Sequence, residues 1–407
     1  MTLRAEQIVA ALADAAGRWR DADFPPRVRA TQAIERRTGY TPPVVDYALD
    51  ALFGAIDRTA LVATIAGELG SLAALDGFVS RPGRPDVLFV PIDRVVIVSS
   101  DTTIGVAIPA FLFALCAKAN VTVKDRDDRF VAAFAETIAA EHPQLGAAMR
   151  VETWNGTDET MSRAHLTQAG TVVAYGRAET LAAIRAQLAP EARFLPFGHR
   201  TSVGYVARET LADPVAARAC ARALASDALL YDGEGCLSLH AVFVERSETG
   251  AAIAPAAFAR LVADACDSVA IEFPAGYTEP DAAASAYRRA ADFRAAQGLG
   301  AVHAGATGPH LVVLDPPRDE PAPFLRRTLA LYAVDAPDDA LDFVRSHALA
   351  LEAVGVERRG RPDIEAFALA SGAARIAALG SLQRPPLGGE HGGAGRILPF
   401  VRAIYRQ

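Results

Sequence analysis

The chain has 407 residues, 51% hydrophobic and 22% charged, which is more than one ordinary core holds and sets two domains as the expectation. A net charge of −7 gives no basis for binding nucleic acid or an anionic membrane surface. The four cysteines are scattered without a CxxC pair, which argues against a metal or disulfide framework and for a reducing, cytoplasmic compartment.

The opening stretch, MTLRAEQIVAALADAAGRWRDADF, carries charges throughout and lacks an uninterrupted apolar core, so it does not read as a signal peptide. Residues 1–80 are helical in pattern, broken at Phe24-Pro25-Pro26 and Thr41-Pro42-Pro43. The longest apolar run, 104–117, is too short for a membrane span and contains Pro109, so it reads as a buried helix. Sequons at Asn120 and Asn155 are attributed to chance.

From residue 93 onward strands and helices alternate. DRVVIVS (93–99) is a continuous β-branched run, as buried parallel strands are. A polar loop at 99–103, a helix at 108–118 and a strand at 121–124 complete a βαβ unit. Helices are expected at 129–141, 158–168, 178–188 and 214–227, and strands at 149–154, 171–175 and 202–206. Successive units of this kind imply a doubly wound parallel sheet. At Tyr231 the character changes. YDGEGCLS is a Gly-bracketed turn that carries a cysteine and leads into a strand at 239–245. A domain boundary is placed there, dividing the chain into 1–230, a second α/β domain at 231–380, and a Gly/Pro-rich segment at 381–407. In the second half, helices fall near 255–268, 281–296 and 337–349, and strands near 311–315 and 328–334.

Cys236 stands out by context. A thiol on a tight turn between helix and strand is held by backbone, near free N–H groups that favour the thiolate and are able to bind an oxyanion. The alternative is a small buried apolar residue. Cys116, Cys220 and Cys266 lie in apolar or Ala-rich helical patterns and read as core. His240 follows Cys236 by four positions, and strand alternation would put it on the same face.

YDGEGCLSLHAVFVE resembles the active-site segment of the aldehyde dehydrogenase superfamily, and most closely that of the fatty acyl-CoA reductases of bacterial bioluminescence. VVIVSSDTTIGVAIPAFLFALCAKANVTVKDRD is similar to the superfamily's first βαβ unit, and TVVAYGRAETLAAIR to its second phosphate-side segment. FLPFGHRTSVGYV resembles the strand that enters the active site. LGSLQRPPLGGEHGGAGRILPFVR resembles the reductases' C-terminal segment, with its Gln-x-Pro-Pro and later His. Together these cover roughly residues 90–407, whereas residues 1–80 do not align.

The resemblance implies an aldehyde-dehydrogenase-like fold, with a doubly wound cofactor domain within 1–230 and an α/β catalytic domain at 231–380. It implies an acyl-CoA or acyl-carrier thioester as substrate, with NADPH (or NADH) as cofactor and an aldehyde as product. It makes Cys236 the nucleophile that carries the acyl group, Lys124 a contact of the adenosine ribose, and Tyr175-Gly176 part of the nicotinamide-side turn. Arg126 beside Lys124 would favour a 2′-phosphate, and Asp127 and Asp128 a free 2′-hydroxyl. Ser99, Thr102 and Thr103 either line the site or cap the next helix. His199 either supplies a proton, touches the carrier or is structural. His391 is expected to reach the site from the tail, and a homo-oligomer is expected.

Three departures bear on direction. Oxidative members carry a Glu in a Glu-Leu-Gly-Gly segment to activate water, and here Pro196-Phe197-Gly198-His199 occupies that place. The ribose-clamping Glu of a Glu-x-Phe-Gly-Pro segment has no counterpart at 323–334. No Asn stands at 99–103 to complete an oxyanion hole. Besides the reductase, an oxidative or CoA-acylating aldehyde dehydrogenase, an acyl-phosphate reductase and a catalytically silent homologue in an acyl-transfer complex stay open, with His199 or Glu234 as substitute bases for the oxidative reading.

Overall fold

A computed structural model describes residues 2–407 except 101–102, 157, 247–252, 280, 317–320 and 358–359. The chain folds into two compact units, one of Met1–Thr38, Val45–His199 and Pro386–Gln407, the other of Gly39–Val44 and Arg200–Pro385.

The first unit opens with the helices Ala5–Arg18, Pro25–Thr38, Pro42–Gly54 and Arg58–Leu69. The two Pro-Pro pairs start helices rather than merely interrupting them, because proline's missing N–H costs nothing in a first turn. Trp19 is fully buried, with ring centroids 5.1, 5.6 and 5.8 Å from Phe53, Phe130 and Phe134. Its Nε1–H donates to Thr137 Oγ1 at 3.1 Å, which ties the opening helices to the helix Phe130–Glu141.

The strands of this unit are β1 (Val79–Arg81), β2 (Arg84–Pro91), β3 (Val95–Val98), β4 (Val121–Lys124), β5 (Met149–Glu152), β6 (Thr171–Tyr175) and β7 (Arg193–Phe197). β3 to β7 form a fully parallel sheet in the order β5-β4-β3-β6-β7. The chain runs outward from β3 through β4 to β5, then crosses back to β6 and β7. The order therefore reverses between β3 and β6, and a doubly wound sheet opens its ligand crevice at that point, beyond the carboxyl ends of the strands. β7 is an edge strand, where Pro196 is tolerated. β1, β2 and the C-terminal strand Val401–Arg406 form a separate antiparallel sheet, in which Arg406 pairs with Asp86.

The second unit contains β8 (Thr201–Val206), β9 (Leu239–Glu245), β10 (Ala301–Ala304), β11 (Leu311–Asp315), β12 (Thr328–Val334), β13 (Leu351–Val356) and β14 (Arg375–Ala378). They make one sheet in the order β10-β11-β12-β9-β8-β13-β14, antiparallel only at the β10 edge. Alternate side chains feed two cores. Phe243 packs with Tyr332, Phe343 and Phe367 on one face, and Val242 and Val244 meet Leu224 and Phe258, from the helices Pro214–Leu229 and Pro255–Glu272, on the other. Among the described residues no helix is long and apolar enough to cross a membrane.

The units divide at Arg200, not at Tyr231. β8 hydrogen-bonds to both β9 and β13, so residues 200–230 belong to the second unit and the YDGEGC turn lies inside it. The expected C-terminal segment also divides, because residues 386–407 join the first unit.

Candidate active site

Helix Pro214–Leu229 ends in a turn in which Tyr231 (φ 55°), Asp232 (φ 53°) and Gly233 (φ 75°) are all left-handed. For the two non-glycine residues this conformation costs on the order of 1 kcal/mol or more each and persists only where the surroundings impose it. Asp232 is the imposing group. Its buried carboxylate accepts from Arg327 Nε at 2.7 Å, and its carbonyl accepts from the Arg327 amide at 3.0 Å. Arg327 is itself buried, and its Nη2 donates to the Phe273 carbonyl at 2.7 Å. A Cβ at position 233 would stand 3.1 Å from the Arg327 amide nitrogen and 3.2 Å from the Ala228 carbonyl, so glycine is needed there on two counts. Glu234 is engaged with Arg326 at 3.0 Å, so its carboxylate is held by a cation rather than presented as a base.

The turn then delivers Cys236. Its carbonyl accepts from Ser202 Oγ at 2.8 Å, and the Ser238 amide donates to the Gly235 carbonyl at 2.9 Å. Behind it, Gln383 Nε2 donates to the Asp227 carbonyl (2.9 Å) and to Ser238 Oγ (3.1 Å). The Asp227 carboxylate accepts from the amides of Gly380 and Leu382, and burial pushes its pKa up to about 7. The Gln-x-Pro-Pro segment thus supports the back of the cysteine turn.

Of the four cysteines Cys236 alone is not fully buried. Cys116, Cys220 and Cys266 are core residues, and burial pushes their thiols up. Cys236 differs from the expectation in one respect. The amides of Cys236 and Leu237 do favour its thiolate, as does Arg200, but burial, aided by the Glu352 charge, outweighs them and pushes the thiol up to about 12. The resting group is a thiol held in place, not a standing thiolate.

Two β-bulges flank this point. On β9, Leu239 faces Ser202 while Ala241 faces Val203, so His240 is the extra residue. On β13, Leu351 faces Thr201 while Ala353 faces Ser202, so Glu352 is the extra residue. Regular alternation therefore does not run from Cys236 to His240, and the His240 ring packs edge-on to Phe324 at 5.0 Å. Glu352 is buried, with Arg200 Nε 3.9 Å from its Oε2. Sequence reasoning passed over Glu352, Asp227 and Arg327. The first two carried a signal, each being a lone acid in an apolar run.

The remaining expected residues lie in the first unit, around the carboxyl ends of β3, β4 and β6. Lys124 ends β4, with its Nζ 5.2 Å from the Trp154 ring. A Cβ at Gly156 would reach within 3.5 Å of that Nζ, so the glycine leaves room beside the ammonium. Trp154 stacks on His165 at 4.9 Å, and His165 Nε2 lies 3.1 Å from Glu152. The basic and acidic neighbours of Lys124 are largely committed elsewhere. Arg126 donates to the Ser99 carbonyl, and Asp128 accepts from Arg37 Nε at 2.6 Å and from the Phe130 amide at 3.1 Å. Ser99 is buried, Thr103 is partly exposed, and Thr102 lies outside the described residues. Gly176 follows β6 and precedes the helix Ala178–Arg185. A crevice at the point of strand reversal, flanked by a lysine and a helix start, fits a dinucleotide.

At the ends of β6 and β7, Tyr175, Phe197 and His391 form a ring cluster, with Tyr175–Phe197 at 5.1 Å and Phe197–His391 at 4.1 Å. The Gly-rich tail makes this possible. Gly392 has φ 56°, and a Cβ there would stand 3.1 Å from the Phe197 ring. Pro196 and His199 are exposed. Among the described residues no group of His, Cys, Asp or Glu is arranged to hold a metal ion.

The sheet orders are those of the aldehyde dehydrogenase fold. The NAD-dependent benzaldehyde dehydrogenase of Corynebacterium glutamicum superposes with a TM-score of 0.66 at 14% identity, over 100% of this chain and 86% of that one. Aldehyde dehydrogenase C of Pseudomonas syringae, solved as a Cys-to-Ala mutant with NAD+ and octanal, gives 0.71 at 12% identity, over 99% and 84%. An oxidoreductase of Marinobacter aquaeolei gives 0.71 at 13% identity, over 99% and 85%. No curated protein matches the sequence. The chain belongs to the LuxC acyl-CoA reductase family, whose pattern it matches over residues 1–403, including the opening helices that the sequence motifs left unaligned.

Two outcomes follow from this geometry. Alkylation of Cys236 by iodoacetamide, followed by peptide mass, is expected to accelerate about tenfold per pH unit from pH 7 to 9, because the reacting thiolate is scarce throughout that range. A plateau near pH 7 would show a thiol of low pKa, and a levelling-off at about pH 8.5–9 one of ordinary pKa. Arg327→Met leaves the Asp232 carboxylate buried without its cation. Urea denaturation is expected to show a loss of about 3–5 kcal/mol, and a loss below about 1 kcal/mol would mean that the pair does not hold the turn.

Proposed function

We propose that this acyl-CoA reductase works through an S-acyl intermediate on Cys236. The observation that carries the reading is the Cys236 turn itself, where the one incompletely buried cysteine sits on a locked backbone with its own amide and that of Leu237 directed at sulfur. Attack of Cys236 Sγ on the thioester carbonyl forms one C–S bond and breaks another, so the exchange is close to isoenergetic. It needs positioning and donors for the oxyanion rather than a strong driving force. The two amides are the candidate donors.

A nicotinamide cofactor, when bound, supplies the hydride that reduces the acyl group to the aldehyde. Two structural relatives described with NAD support a nicotinamide, and the family supports an acyl thioester as substrate. We assign Lys124 to the adenosine ribose or its phosphate, the Gly176 turn to the phosphates, and the loop of Ser99 and Thr103 to the crevice wall. Arg126 and Asp128 are both tied to protein groups, so the choice between NADPH and NADH rests on Lys124 and the exposed Asp127. His199 is proposed to supply a proton or to touch the acyl carrier.

Pro196 sets the direction. General-base assistance is worth on the order of a hundredfold to ten-thousandfold in rate, and a proline side chain offers none. In the enzyme incubated with acyl-CoAs of graded chain length and no cofactor, intact mass is expected to show a stable acyl adduct. Cys236→Ala is expected to abolish both the adduct and aldehyde formation. Rapid turnover to free fatty acid, at a rate like that of acylation, would favour the oxidative reading instead. Lys124→Ala is expected to raise the KM for NAD(P)H several-fold with adduct formation unchanged, and an unaltered KM would remove Lys124 from the cofactor site.

A further inference from the structure

A cleft of about 480 Å³ opens in the second unit between the turn at 305–310 and the segment at 274–278, with the helix Ala282–Ala296 as its third wall. It borders the starts of β11 and β12 at Leu311 and Thr328. β11, β12 and β9 are parallel neighbours and Cys236 precedes β9, so the cleft and the thiol lie at the same end of the sheet. Two strand steps separate β11 from β9, which is about 10 Å. The cleft wall is also tied to the cysteine turn. Arg326 Nε donates to Glu234 at 3.0 Å, and Arg327, next in the chain, holds both the Asp232 carboxylate and the Phe273 carbonyl at 2.7 Å. The Gly276 amide reaches the Asp232 carboxylate at 3.4 Å.

The described residues that line the cleft include Arg288 and Arg326 but no carboxylate. Both arginine side chains are about half exposed, so a solute can reach them. Arg326 spends only its Nε on Glu234, which leaves both Nη groups, and its guanidinium lies 5.4 Å over the Tyr277 ring. The Arg288 partner, Asp292, is 3.7 Å away one helical turn on, a surface pair of little energetic weight. Burial, aided by the Asp232 charge, pushes the Tyr277 phenol up to about 12, so it stays a neutral donor. His310 in the same wall is buried, which lowers its imidazole pKa, so the cationic character comes from the two arginines. Behind the turn, the Asp267 carboxylate accepts from the Ala306 and Thr307 amides at 2.7 and 3.0 Å. Glu279 and Asp281 border a separate, smaller hollow, where Asp281 caps the helix by accepting from the Ala284 amide at 2.7 Å. An acyl chain calls for an apolar lining. Two planar guanidinium groups beside the Tyr277 and Ser285 hydroxyls fit phosphate oxygens.

We propose that this cleft binds the phosphate groups of the thiol carrier, as borne by coenzyme A, with Arg288 and Arg326 as their partners, and so places the carrier sulfur at Cys236. The inference rests on the S-acyl reading above and adds to it the subsite that holds the carrier.

The test compares matched acyl thioesters of coenzyme A and of pantetheine, which lacks the phosphates. Single-turnover acylation is followed by intact mass without cofactor. The unaltered enzyme is expected to half-saturate at a concentration about tenfold lower for the CoA thioester. Arg288→Gln is expected to raise that concentration about tenfold for the CoA thioester and to leave it unchanged for the pantetheine thioester, with Arg288→Lys restoring part of the difference. Arg326→Gln is expected to weaken use of the CoA thioester likewise. Calorimetric titration of free coenzyme A into Cys236→Ala reads the cleft without any acylation. Binding there is expected to weaken about tenfold when Arg288→Gln is added and to persist in saturating NADP+. Binding that NADP+ displaces and Arg288→Gln leaves intact would put the phosphates in the nucleotide crevice of the first unit and overturn the inference. An equal shift for both thioesters, or none for either, would also overturn it. If the unaltered enzyme takes up no acyl group while Cys236→Ala still binds coenzyme A through Arg288, the S-acyl reading fails and the cleft stands.

Discussion

The buried ion pair of Asp232 and Arg327 sets the path of the backbone from which Cys236 projects. Two non-glycine residues and one glycine in succession adopt left-handed conformations there, which no local preference of Tyr or Asp would produce. The pair supplies what the local sequence lacks. Arg327 is itself left-handed (φ 44°) at the entry to β12, so the clamp fixes two chain segments that are 95 residues apart. A buried pair of this kind contributes less to net stability than to geometry, since desolvation offsets much of its attraction. Here the geometry is the direction of one thiol.

The same logic recurs behind the turn. Asp227 spends its carboxylate on two backbone amides, and Gln383 bridges the helix end to Ser238, so the turn is supported from below by polar groups that all have partners. Polar groups enclosed in this way leave little freedom, and that suits a thiol whose reaction depends on placement more than on intrinsic reactivity. In the first unit the corresponding device is topological. A sheet whose strand order reverses between β3 and β6 leaves a crevice without dedicated side chains, and the chain lines it with what stands at the strand ends.

Much of this was legible in the sequence, for identifiable reasons. VVIV at β3 and TVVAY at β6 are short, continuous and β-branched, and both are fully buried strands. The Pro-Pro pairs read as breaks in a helical pattern, whereas each starts a helix. The strand Arg193–Phe197 was blurred by Pro196, whose presence is compatible only with an edge. LEAVGV was missed as a strand because its acid breaks the apolar run, and that acid is the bulge residue. The unit boundary was misplaced because composition changes at the cysteine turn, whereas the boundary is set by hydrogen bonding of β8 to its neighbours, which no local pattern reveals. The low thiol pKa expected from a Gly-rich turn failed for a related reason: local amides are visible in sequence, and burial is not.

The antiparallel pairing of Val401–Arg406 with β2 has a consequence for synthesis of the chain. Arg406 meets Asp86, some 320 residues earlier, so the ribosome must deliver all of the intervening chain before that sheet can gain its third strand. Until then β2 presents an unpaired edge, and the second sheet is emerging in the interval. Residues 84–91 are therefore open to mispairing until Val401–Arg406 has left the ribosome.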